Sequence, residues 1–256
     1  MSVLSPVKNR LPYYFLSAAG LSAALFFFST GFYDNWPLTW LAPLPVCLYA
    51  LPENQEAGLA LLSRTAARNR VALIAGLSLQ QERLANTAVA FAPDGSLSAA
   101  YDKQHLLPAY ESRYTPGDSL ARLDAGGAAA GLAICKDMDF VRPARDYSRQ
   151  GTGLLLVPAL DFHDDGWLHA RIAVLRGVEG NMAVARAAQW GLLTLSDSRG
   201  RILGMTATDA AAGEAILLGQ LPAGGGRSLY SLTGDWLAWL CLAATALAIV
   251  RFRQLR

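Results

Sequence analysis

Two charge-free stretches confine where a water-facing fold can form in this chain. Residues 12–33, PYYFLSAAGLSAALFFFSTGFY, run about 22 residues without a charge, long enough for a membrane helix. Residues 236–250, WLAWLCLAATALAIV, are also uncharged. They are shorter, and SLYSLTG ahead of Asp235 suits a membrane interface. The chain is 53% hydrophobic and only 16% charged, and the apolar excess sits at these ends. A cleaved leader competes for the first stretch, with Lys8 and Arg10 as its basic region. Its apolar part exceeds a usual leader, and Phe26, Phe27 and Phe28 spoil a small-residue cleavage site. An uncleaved anchor is therefore expected. Pro37, Pro43 and Pro45 argue against a further span over 36–51.

Lys8 and Arg10 precede the first stretch, and Arg251, Arg253 and Arg256 follow the second. The positive-inside rule then puts both ends in the cytoplasm and the middle outside. All 20 acidic residues lie from Asp34 to Asp235, so the middle is slightly acidic, which argues against nucleic acid. The expected division is a membrane anchor over 1–35, a catalytic domain over 36–230, and a transmembrane helix with a basic tail over 231–256.

The middle alternates helical and strand-like patterns. Apolar spacing predicts a helix over 56–70 and a buried strand over 71–79. Residues 87–103 read as two strands around Pro93, Asp94 and Gly95, a hairpin signal. Further strands are expected over 129–135 and 153–160, with a helix over 142–151 between them. Residues 166–188 read as one long amphipathic helix with a glycine-containing break, and 191–207 as a closing hairpin. Strands separated by helices, with hairpins mixed in, predict a layered α/β domain.

Of three cysteines, Cys241 and Cys47 lie in apolar runs, and three do not make a disulfide framework. Cys135 ends the run AAAGLAIC and is followed at once by Lys136, Asp137 and Asp139. It is either the last core residue of a strand or a nucleophile held at a strand end. Lysine is rare: only Lys8, Lys103 and Lys136 occur among 22 basic residues, and two of the three fall in chemically loaded stretches. A compact ammonium suits a site better than a solvated face. Glu53 follows an apolar run and a proline, and is either a site acid or a surface acid at a helix start. Were they brought together at strand ends, Glu53 could take the thiol proton, Cys135 attack a carbonyl and Lys103 hold the oxyanion. The nearby ammonium would lower the thiol pKa. Arg176 and Glu179 read as a structural i,i+3 pair. His163, Asp164, Asp165 and His169 fit no zinc spacing, and Asp164 or Asp165 reads as a helix cap.

The order of Glu53, the YDKQHLLPAYE stretch (101–111) and GLAICKDMDF (131–140) resembles the nitrilase (carbon–nitrogen hydrolase) superfamily, and within it the apolipoprotein N-acyltransferase family. Residues 157–202 are similar to that family's later segments, and the likeness covers roughly 50–205. It implies an αββα sandwich flanked by transmembrane helices, here lacking the first strand and helix that precede the base glutamate. It also implies Glu53 as general base, Lys103 as oxyanion cation and Cys135 as the acylated nucleophile. Glu111 would orient Lys103 or the incoming amine, although a solvated loop acid is an equal reading of that position. Asp137 stands where the family has a functional glutamate, and Lys136 replaces its tyrosine while offering a backbone N–H to the oxyanion. Substrates implied are a phospholipid acyl donor and an amine acceptor such as a lipoprotein N-terminus, at the periplasmic face of a bacterial inner membrane, with no cofactor and no metal. An amidase of the same superfamily and an inactive membrane-tethered relative remain alternatives.

Overall fold

Side-chain alternation along one strand sets the layer order. In the computed structural model, which describes residues 55–80, 82–162, 164–208 and 215–254, β1 (Leu73–Gln80) turns Leu73, Ala75, Leu77 and Leu79 toward helix α1 (Gln55–Asn69). Leu62 and Ala66 of α1 meet them there. Ile74 points to the opposite face and joins the central core. β1 pairs antiparallel with β2 (Leu84–Phe91), which pairs antiparallel with β3 (Leu97–Asp102). The Pro93–Gly95 turn forms as expected: Asp94 Oδ1 accepts from Ser96 N at 2.8 Å, and Gly95 takes φ 86°.

A second sheet runs in the order β4 (Arg122–Ala125), β5 (Ala128–Leu132), β6 (Leu154–Ala159), β7 (Ala183–Ala188), β8 (Gly191–Ser196) and β9 (Ile202–Thr208). β6 lies parallel to both β5 and β7. It is covered on both faces, which is why LLLV reads as one unbroken apolar run. Leu154 and Leu156 face the first sheet, together with Leu132, Ala183 and Ala185. Leu155 and Val157 face helices α2 (Ala144–Arg149) and α3 (Gly166–Gly180). The result is helix, sheet, sheet, helix: the expected αββα sandwich.

The long helix expected over 166–188 is two elements. α3 stops where Asn181 adopts a left-handed conformation, φ 53°, and 183–188 is strand β7. Alanine-rich AVARAA carries helical propensity, yet it is buried and paired between β6 and β8, so tertiary context overrides propensity. The β4 strand and its hairpin had no strong apolar signal.

After β9, residues 215–228 dock on the sandwich by backbone bonds, including Gly224 N to Gly153 O at 2.8 Å and Arg227 N to Ser148 O at 2.8 Å. Ser228 caps α4 (Leu229–Thr233), whose Ser231 carbonyl accepts from Arg145 and Arg149. α5 (Trp236–Gln254) follows, with its apolar side chains exposed through Val250. The expected second span is corrected here: among the described residues no helix is long and apolar enough to cross a membrane. The uncharged part ends before Arg251, and its rise of ~22 Å falls short of a ~30 Å hydrocarbon core. The first expected span, Glu53 and the question of the missing first strand lie outside the described residues.

Candidate active site

β5 carries the chain to Cys135, and a close approach fixes that strand. Gly131 lies against the ring of Tyr147, where a Cβ would come within 2.6 Å. The Tyr147 hydroxyl donates to Leu132 O at 2.6 Å and accepts from Ala121 N at 2.9 Å. Beyond the strand, Cys135 opens a 3₁₀ turn (Cys135–Asp139) with φ 44°. Left-handed backbone is uncommon for a residue with a Cβ and is strained. It turns the thiol out of the strand direction and into a cavity of about 420 Å³ between the two sheets' ends. The Cys135 Sγ donates to Leu160 O at 3.4 Å.

Lys103 follows the last residue of β3 and lines the same cavity, only 2% exposed. Its Nζ donates to Glu111 Oε2 at 2.7 Å. Glu111 is held in turn by Asn86 Nδ2 and Leu107 N, each at 2.7 Å. Burial pushes the Glu111 carboxyl up, but hydrogen bonds from Lys103 and Leu107 outweigh it, and the net direction is down. Glu111 is thus a buried partner of Lys103, not a solvated loop acid.

Burial is the largest effect on the Cys135 thiol and the net direction is up, although the Lys103 charge lowers the thiol pKa as expected and the Arg186 charge does the same. Burial thus opposes ionisation of the thiol, and a base beside it would assist attack.

Two expected supporting residues differ in where their side chains go. Asp137 is fully buried and reaches no substrate space. Its Oδ1 accepts from Gln104 N at 3.2 Å and His105 N at 2.9 Å, and its Oδ2 from Tyr101 Oη at 2.9 Å and Ile134 N at 3.1 Å. One carboxylate therefore ties the segment after β3, which carries Lys103, to the turn that carries Cys135. His105 Nδ1 also lies 3.0 Å from Asp137 Oδ1, and its ring stacks on Phe140 at 3.9 Å. Lys136 points away from the cavity, with Nζ 3.5 Å from Asp139 Oδ2 and 6.0 Å from the Phe140 ring. Its side chain belongs to the surface, leaving only its backbone N–H for the site.

Asp137→Ala should destabilise the fold by ~3 kcal/mol or more, because it strands several buried donors at once. Asp137→Asn should lose less, since an amide oxygen still accepts. Urea unfolding curves of the two variants check this ordering.

A buried pair that sequence reading passed over also acts on the thiol. Arg186 Nη2 bonds Asp161 Oδ1, with both side chains almost fully buried, and both charges bear on Cys135. Gly191, at φ 131°, must be glycine here, since a Cβ would stand 2.3 Å from Asp161 Oδ2. The available signal was an arginine placed inside an otherwise apolar strand.

The remaining expectations resolve simply. Arg176 bonds Glu179 and also donates to Met138 O at 3.1 Å. Asp165 stands at the N-cap of α3, but its carboxylate bonds Phe162 N and His169 instead of capping. His163 lies outside the described residues, and among the described residues no cluster of acids, histidines and cysteines could hold a metal.

Known proteins resemble this chain in sequence and fold. The sequence model described as carbon–nitrogen hydrolase matches residues 27–222. The chain is 32% identical over 196 residues to an apolipoprotein N-acyltransferase of Geobacter metallireducens, covering 66% of this chain but 36% of that protein. It is 31% identical over 172 residues to Omega-amidase NIT2 of Homo sapiens, covering 59% of this chain and 62% of the amidase. The chain thus spans about a third and about three fifths of these relatives. Among solved structures, an amidase from Nesterenkonia sp. AN1 aligns with TM-score 0.59 at 24% identity, over 64% of this chain and 69% of that one. At that identity the likeness speaks for the fold.

Proposed function

The chain belongs to the carbon–nitrogen hydrolase family, and from that premise we propose that it is a thioester-forming N-acyltransferase that moves an acyl chain from phospholipid to an amine such as a lipoprotein N-terminus. The observation that carries this reading is a single cavity into which a strained cysteine and a buried, glutamate-held lysine both open. Its walls are largely apolar, with Leu77, Leu107, Tyr110 and Phe162 among them, which suits an acyl chain better than a small polar amide. The likeness to the Geobacter metallireducens acyltransferase supports the same choice.

In the proposed reaction, Cys135 Sγ attacks the ester carbonyl carbon while Glu53 takes the thiol proton. The carbonyl oxygen becomes an oxyanion held by Lys103 Nζ and the Lys136 N–H. The C–O bond then breaks, and the leaving alkoxide takes the proton from Glu53. An amine next attacks the thioester carbonyl and gives a proton to Glu53. The C–S bond breaks, and that proton returns to the thiolate. Burial pushes the Cys135 thiol up, which favours attack assisted by a base.

The exposed apolar side chains of α5, with Arg251 after its uncharged part, support contact with a bilayer. We place the domain at the periplasmic face of a bacterial inner membrane.

The amidase relatives favour a second reading, in which water takes the acyl group. Incubation with phospholipid and a diacylated lipopeptide bearing a free N-terminal amine separates the two. Acylated peptide is the expected main product. Release of free fatty acid with unmodified peptide would establish the hydrolase instead.

A further inference from the structure

The cavity has a second cation that the chemistry above does not use. Arg113 lies two residues beyond Glu111 and lines the mouth. Its guanidinium sits over the Tyr114 ring at 5.0 Å, and Nη2 donates to Tyr114 Oη at 2.9 Å. That hydroxyl is fixed in turn by Ser78 Oγ at 2.5 Å, from β1 on the cavity wall. A surface arginine ordinarily samples many rotamers, whereas this one is laid on a ring and tied by a hydroxyl. Among the described residues it makes no salt bridge with a carboxylate, while Lys103, the cavity's other cation, is neutralised by Glu111.

We propose that Arg113 is the anion-recognition point of the cavity, holding an oxyanion group of the acyl donor. A guanidinium has five N–H donors in a planar fork, and among the described residues Arg113 uses one of them, on Tyr114 Oη. Those remaining can grip a phosphate or carboxylate in bidentate fashion. The combination of apolar wall and fixed cation selects an amphiphile with one negative group at the mouth. The inference rests on the acyl-transfer reading for its lipid arm. The shared chemistry is the oxyanion, whether a lipid phosphodiester or a carboxylate on the acyl group itself.

Three acyl donors test it: phosphatidylglycerol in mixed micelles, mono-p-nitrophenyl glutarate and p-nitrophenyl butyrate, which has no negative group. Acyl-enzyme formation is measured for the wild type, Arg113→Gln and Arg113→Lys, with thermal melting to confirm the fold. In Arg113→Gln, kcat/KM for an anionic donor should fall ~10- to 100-fold relative to the butyrate, the range expected for a hydrogen bond to a charged group. Arg113→Lys should recover part of that loss. A loss confined to phosphatidylglycerol identifies the phosphodiester as the bound group, and one confined to the glutarate identifies the carboxylate. An equal fall on all three donors, or no change in the ratios, would overturn the proposal. Failure of the acyl-transfer reading looks different: the wild type itself would acylate from the glutarate and not from phosphatidylglycerol.

Discussion

Cys135→Ala and Cys135→Ser should each abolish acyl-enzyme formation while the folded state stays within about 1 kcal/mol of the wild type. The alanine variant removes the attacking atom. The serine variant keeps the shape and can still donate to the Leu160 carbonyl, but its hydroxyl is a far weaker acid than a thiol. Burial already pushes the Cys135 thiol up, so the site has no reserve with which to ionise an oxygen. A loss on the order of 10⁴-fold or more in kcat is expected, as when a nucleophile that works as part of a unit is removed. Steady-state turnover with melting curves on the same samples reads both effects. Serine-variant turnover within tenfold of the wild type would remove Cys135 from the mechanism.

Lys103→Met should lower kcat by two to three decades, ~10²- to 10³-fold, the usual worth of one oxyanion donor. Lys103→Arg should fail to restore it although the charge is kept. The ammonium is 2% exposed and fixed at 2.7 Å from Glu111 Oε2, and a planar guanidinium is bulkier and cannot put a donor at the same point. Stability must be separated from catalysis, because this is a buried ion pair. Removing one partner leaves an uncompensated charge and costs about 3–5 kcal/mol. Glu111→Gln alone should therefore destabilise more than Lys103→Met combined with Glu111→Gln, which removes the pair together. If the double variant is folded and still inactive, the lysine acts in chemistry and not only in structure. Near-normal turnover in a folded Lys103→Arg protein would contradict the oxyanion role.

What the sequence made legible follows from which patterns are local. The β2–β3 hairpin was readable because Asp94 and Gly95 specify a turn by themselves, and β6 because a strand covered on both faces is apolar throughout. β7 was not readable, because alanine serves a helix and a buried strand equally. Only the left-handed Asn181 and the pairing with β6 decide between them. Cys135 and Lys103 were named from rare residue types at strand ends and Glu111 from the family resemblance, and the fold brings all three to one cavity. Side-chain direction was not legible. Asp137 and Lys136 both neighbour the nucleophile, yet the turn sends the first inward to bind four donors and the second outward to Asp139. Arg186 stood out inside an apolar stretch, but its pairing with Asp161, 25 residues away in the chain, was not legible.

The central claim is that Cys135 carries the acyl group between donor and acceptor. Intact-protein and peptide mass spectrometry after incubation with phosphatidylglycerol, without acceptor, tests it most directly. The account predicts one added acyl mass on the peptide containing Cys135, removed by hydroxylamine at neutral pH and absent from Cys135→Ala. No adduct, or one on another residue that persists in Cys135→Ala, would contradict it.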